Sequence, residues 1–214
     1  KQSKLIALLK YYWDNHWKNA NILLILCGSV ASYMVDRVIR SKALYGRIDL
    51  EILLRQLYPQ ESMLFFKNKK SKQEILKYLM VFGGIPKYLE LIDLKKSFNQ
   101  NINDLCFSPE GYMFEEAQKV FYSQFKETDI YLSIVELLKD KIYSFSEIAT
   151  KLKQASGGGL KRYLRNLENA NIISNYSSSM FLPVAHSVKY KLSDEYLVFY
   201  FKFIYPNLSI IKKE

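Results

Sequence analysis

The chain has 214 residues, 49% hydrophobic and 24% charged, with only 8 Gly and 5 Pro. That composition excludes disorder and collagen-like order and supplies enough apolar surface for one or two domains. Thirty-one basic residues against 21 acidic ones give a net charge of +10, which admits nucleic acid, nucleotide phosphate or an acidic membrane surface as partners and is equally the charge of a lysine-rich solvated surface.

Leu5, Leu8, Leu9, Tyr12 and Trp13 recur at helical spacing and predict an amphipathic helix over residues 3–18. It lacks the apolar core flanked by small residues that a secretory signal needs. The chain opens inside this pattern on Lys rather than Met, so it reads as a piece of something longer. Asn19 and Asn21 end the helix. The unbroken apolar run Ile22-Leu23-Leu24-Ile25-Leu26 then closes at Cys27-Gly28-Ser29, which predicts a central parallel strand, buried on both faces, whose carboxyl end opens onto a site. Cys27 is expected to be a buried, inert thiol. Residues 30–41 read as a helix with Met34, Val35, Val38 and Ile39 inside. Leu44-Tyr45-Gly46-Arg47 is a turn, and a second strand is expected over residues 48–57, ended by Pro59.

Lys67-Asn68-Lys69-Lys70-Ser71-Lys72 is the densest charge run; it reads as a solvated loop, with a phosphate-tracking loop as the alternative. Residues 73–80 are helical. Gly83-Gly84-Ile85-Pro86 separates them from a helix near residues 87–92. Residues 97–103 are a polar helix or loop. Phe114, Ala117, Val120 and Phe121 line one face of a helix over residues 114–125.

The last third is more regular. Ile130, Ile134, Leu137 and Leu138 mark a first helix. Ser144 or Ser146 caps a second, with Glu147 in its first turn. Gly157-Gly158-Gly159 is a turn, and Leu160, Leu164, Leu167 and Ala170 mark a third helix. Strands over residues 172–176 and 188–192 complete three helices and a β-hairpin, the pattern of a winged helix-turn-helix. Ser193-Asp194 caps a closing helix over residues 195–204. Its Tyr196, Phe199, Tyr200 and Phe203 fall at i, i+3, i+4 and i+7 and predict one buried aromatic face, held against the first winged-helix helix or the preceding helical part. The apolar stretch 196–205 is too short to span a membrane and carries Lys202, so a soluble, cytoplasmic protein is expected.

Cys27 and Cys106 lie far apart, which excludes a disulfide framework and a four-thiolate zinc site. His16 and His186 are too few for a His-based metal site. No G-x-x-x-x-G-K-[ST] loop occurs, and no apolar strand runs into an acidic pair.

Three of these stretches, in this order, carry a resemblance: Leu24-Ile25-Leu26-Cys27-Gly28-Ser29, Leu44-Tyr45-Gly46-Arg47 and Gly83-Gly84-Ile85-Pro86-Lys87-Tyr88-Leu89. With the downstream winged helix and the closing Tyr190-Lys191-Leu192-Ser193-Asp194-Glu195-Tyr196-Leu197-Val198-Phe199-Tyr200, the chain resembles the archaeal-type ATPase family, a STAND-like branch of the AAA+ superfamily, over the portion that follows the Walker B acids. The resemblance implies an α+β, mainly helical chain in three parts: the remnant of a P-loop ATPase core (1–58), a helical lid (59–126) and a winged helix with an aromatic C-terminal helix (127–214). It also implies ATP and Mg²⁺ bound by the parent protein through an upstream segment. No tight binding of either is expected of this chain, which lacks both Walker motifs and is expected to be inactive alone.

By the same resemblance Ser29 takes the sensor position, where a hydroxyl orients water or senses the γ-phosphate; a small residue closing a strand is the alternative. Arg47 is placed to reach phosphate in cis or across a homo-oligomer interface, against a structural ion pair. Gly84 and Pro86 match the family's G-x-P signature, in which glycine lets backbone approach the nucleotide and proline lies flat on adenine; plain helix punctuation is the alternative. Lys161, Arg162 and Arg165 sit on one side of the third helix, where double-stranded DNA is the functional partner and intramolecular packing the alternative. Residues 127–214 hold 12 basic and 9 acidic residues and residues 1–126 hold 19 and 12, so most of the basicity lies outside the winged helix. The competing class is a non-enzymatic DNA-binding or protein-interaction module.

Overall fold

Helix caps read from the sequence organise much of the chain. The computed structural model describes residues 4–28, 33–154, 157–177 and 188–213; Ser29 and His186 lie outside them. The chain divides into two compact units, Lys1–Leu53 and Leu54–Glu214. The fold is α+β and mainly helical. Among the described residues no helix is long and apolar enough to cross a membrane.

In the first unit, helix α1 (Leu5–Tyr12) runs into a π-helical turn, Trp13–Trp17, closed by the Lys18 amide on the Trp13 carbonyl at 2.9 Å. A second π-helical turn spans Met34–Ile39 and buries Val38. Neither expected strand forms. Residues 22–28 and 48–53 form no regular element and pair with no described segment. Leu23 is 86% exposed and Leu50 74%. A strand exists only through the ladder that takes its amides and carbonyls, and nothing described here supplies that ladder. Cys27 is consequently exposed rather than buried.

The second unit opens with α2 (Pro59–Ser62), then α3 (Lys72–Phe82), capped by Ser71. Helix α4 (Pro86–Glu90) follows, with proline in its first turn, where a missing amide costs nothing. Ser97 and Gln100 close a capping box on α5 (Phe98–Cys106), and α6 spans Glu116–Gln124. Helix α7 (Thr128–Leu138) leads to β1 (Tyr143–Ser144) and α8 (Phe145–Lys151). Ser144, not Ser146, caps α8, and the Ser144 amide followed by its hydroxyl holds the Glu147 carboxyl below its ordinary range. Helix α9 (Gly158–Asn169) buries Leu160, Leu164 and Leu167. Gly158 and Gly159 belong to this helix instead of a free turn.

Strands β2 (Ile173–Ser177) and β3 (Val188–Leu192) pair antiparallel with Ile173 opposite Leu192. β1 joins the other edge of β3, Tyr143 opposite Tyr190, giving the order β1-β3-β2. Helix α10 (Glu195–Phe199) packs on α3 and continues as a π-helical stretch, Tyr200–Ile204; α11 (Leu208–Ile211) ends the description. One hydrophobic core runs from Phe66 to Ile211 across the expected lid and last-third residues alike. Cys106 lies within it, and burial pushes its thiol up to about 12.

The closing aromatic helix buries a different face from the one expected. Tyr196, Leu197, Tyr200, Phe201 and Ile204 are buried, whereas Phe199 is only half-buried and Phe203 is 50% exposed. The buried positions fall at i, i+1, i+4, i+5 and i+8, a face rotated from the expected i, i+3, i+4, i+7 stripe.

Candidate functional site

Arg47 and its surroundings lie in the first unit. Its Nε donates to Asp14 Oδ1 at 2.7 Å and its Nη2 to Asp14 Oδ2 at 2.8 Å, while Nη1 reaches the Tyr45 carbonyl at 3.1 Å. This is a two-pronged guanidinium–carboxylate fork. With Lys10 also on Asp14 at 3.1 Å, hydrogen bonds from Arg47 first, then Lys10, lower the Asp14 pKa to about 2. The guanidinium is thus committed to a carboxylate. Gly46, at φ +70°, is the left-handed residue that makes the preceding turn possible. The sensor candidate Ser29 lies outside the described residues.

Gly83 and Gly84 sit in the second unit, both buried. Gly83 has φ +61° and ψ −159°, a conformation essentially reserved for glycine. A Cβ on it would meet Gln56 Oε1 at 2.4 Å and Glu195 Oε2 at 2.8 Å. At Gly84 the neighbour is backbone: a Cβ would lie 2.1 Å from the Leu57 carbonyl oxygen. The Leu57 amide donates to the Gly84 carbonyl at 2.8 Å. The Gly84 amide donates to Gln56 Oε1 at 3.0 Å. Gln56 Nε2 donates in turn to both carboxylate oxygens of Glu195 at 3.3 Å. Both glycines are required by this close approach, and Gly84 has its donor and acceptor already engaged. Pro86 is exposed beside it.

The glycine-proline stretch and the closing motif, 111 residues apart from Gly84 to Glu195, meet here. The Tyr88 and Tyr196 rings lie edge-on with centroids 5.5 Å apart. Tyr88 donates to Glu116 Oε1 at 3.1 Å. The Tyr196 hydroxyl accepts from the Ala117 amide at 3.2 Å and donates to the Met113 carbonyl. Asp194 caps α10 by accepting from the Leu197 amide at 2.8 Å. Burial raises its pKa to about 6 in spite of that bond, and the neighbouring Glu195 charge adds to the rise.

Lys161, Arg162 and Arg165 are all exposed on α9. Arg162 is tied to Glu127 Oε2 at 2.9 Å and lies 5.0 Å over the Tyr163 ring. Lys161 and Arg165 make no ion pair among the described residues. Glu168 is taken up by Asn175 of β2. A Cβ at Gly157, Gly158 or Gly159 would meet nothing within 4 Å, so packing requires none of these three glycines.

Sequence reasoning found Arg47, Gly84 and Asp194 but missed their partners Asp14, Gln56 and Leu57. Those contacts span 33 residues for Arg47 and 28 for Gln56–Gly84, and no local spacing announces them. Among the described residues no group of three or more His, Cys, Asp or Glu is placed to hold a metal ion. Arg47 is thus engaged by Asp14, and the Gly84 amide and carbonyl are engaged by residues 56–57.

The fold defines an α+β chain with a small antiparallel sheet. No protein-family model matches it, and no solved structure matches it. It is 28% identical over 215 residues to an uncharacterized protein of Methanocaldococcus jannaschii. The match takes in 98% of this chain and 47% of that protein, so the chain spans about half the length of the relative it matches.

Proposed function

We propose that this chain is the portion of a cytoplasmic STAND-type AAA+ ATPase that follows the Walker B acids: the end of the nucleotide-binding core, a helical lid and a winged helix. The observation that carries the reading is the apolar segment 22–28, exposed and without a ladder among the described residues. Segments apolar on both faces are what a central parallel sheet uses, and the reading assigns the other strands of that sheet to a longer parent protein, together with the phosphate loop and the metal ligands. Helices α7, α8 and α9 with the β1-β3-β2 sheet support the winged-helix assignment.

The purified chain is expected to release no phosphate from ATP, with or without Mg²⁺. Steady release abolished by Arg47→Ala would sink the proposal. In the longer protein, Arg47→Ala is expected to lower kcat more than it raises KM, which requires that Arg47 exchange Asp14 for phosphate.

A second reading, a DNA-binding module, is favoured by the exposed Lys161 and Arg165, which make no ion pair among the described residues, beside three glycines that packing does not require. Duplex affinity should then fall steeply with salt. Replacing Lys161, Arg162 and Arg165 together with alanine should flatten the log–log slope by about 2–3. An unchanged slope assigns α9 to packing.

A further inference from the structure

We propose that residues 54–58 form a releasable strap, closed onto the Gly83–Gly84 turn and onto Glu195. The segment has little apolar anchorage, since Leu54 is 86% exposed and Tyr58 68%, and only Leu57 is partly covered. Its end at Tyr58 is fixed to α2 by the Tyr58 amide on Glu61 Oε2 at 2.7 Å and the Ser62 amide on the Tyr58 carbonyl at 2.9 Å. What closes the rest is polar and few in number: the Leu57 amide on the Gly84 carbonyl, the Gly84 amide on Gln56 Oε1, and Gln56 Nε2 on the Glu195 carboxylate. A segment held by a few exposed or part-buried hydrogen bonds and almost no buried apolar surface opens by itself, well below the cost of unfolding the core.

The seat is shaped for the strap. Gly83 adopts a backbone conformation open to glycine, and the space where a Gly84 side chain would stand is filled by the Leu57 carbonyl. The closed strap consumes both hydrogen-bonding groups of the Gly84 peptide, so any ligand that uses that peptide must first open the strap. Opening also frees the Glu195 carboxylate, the first residue of α10, directly after its cap Asp194. The strap state is therefore registered at two places far apart in sequence, the glycine turn and the first turn of the closing helix.

Native-state hydrogen exchange on the intact chain, with trypsin cleavage after Arg55 as a second readout, tests the strap. The Leu57 and Gly84 amides are expected to be protected, yet to exchange at least about tenfold faster than those of Leu164 and Leu167 in the core of α9. Gln56→Ala removes an exposed side chain and should speed both Leu57 exchange and cleavage after Arg55 by about tenfold, the factor for losing a hydrogen-bonded link to a charged group, leaving α9 exchange unchanged. Gly84→Ala should give the open rates outright if it folds; Gln56→Ala decides the matter if it does not. Leu57 and Gly84 exchanging together with α9, or Leu57 exchanging without protection, would overturn the proposal. So would a Gln56→Ala chain with wild-type rates.

Discussion

Phe201→Ala is expected to destabilise the chain by about 3–5 kcal/mol, and Phe203→Ala by less than about 1 kcal/mol. Phe201 is 1% exposed, beside Tyr200 at 5.2 Å and Tyr205 at 5.4 Å between ring centroids. Truncation there removes a full aromatic side chain and leaves a cavity that the surrounding core fills only in part. Phe203, two positions on, is 50% exposed and gives up little. Urea unfolding of both variants measures the difference. Equal losses, or a larger loss at Phe203, would mean that the closing helix buries the i, i+3, i+4, i+7 stripe instead.

Asp194→Asn is expected to change how stability responds to pH. The buried carboxyl has its pKa raised from 3.8 to about 6, so between those values the folded chain holds a proton that the unfolded chain has released. Its contribution is fully present below about pH 4 and is lost as pH rises through about 6. The loss amounts to at most about 3 kcal/mol, from two units of pKa. Asparagine keeps a side-chain oxygen to accept from the Leu197 amide and carries no charge to bury. The variant should therefore match or exceed the wild type at pH 7 and lack its decline between pH 4 and 6. Thermal unfolding of both chains across pH 3.5–7.5 provides the comparison. Parallel curves would place the Asp194 carboxylate in contact with water. Asp194→Ala, which loses the cap as well, should be less stable than Asp194→Asn throughout.

The sequence by itself determined those features that a few neighbouring residues control. Ser144 with Glu147, Ser97 with Gln100, and Asp194 before an apolar run satisfy helix amides within three residues, so caps and helix starts were legible. The Leu160, Leu164 and Leu167 stripe and the β2–β3 hairpin follow from periodicity in the same way. Tertiary structure decided everything that needs a distant partner. Residues 22–28 have the composition of a buried strand, yet a strand is a property of a ladder, and none is present for it among the described residues. The two residues of β1 become a strand only because β3 passes beside them. Arg47 reads as a phosphate ligand or as one half of an ion pair, and only the fold brings Asp14 to its guanidinium. Gly84 reads as a nucleotide contact or as helix punctuation, and only the fold brings the Leu57 carbonyl to the place of its side chain. A guanidinium or a bare glycine peptide has the same chemistry whatever it meets; which group it meets is settled by contacts across tens of residues, and local sequence does not encode them.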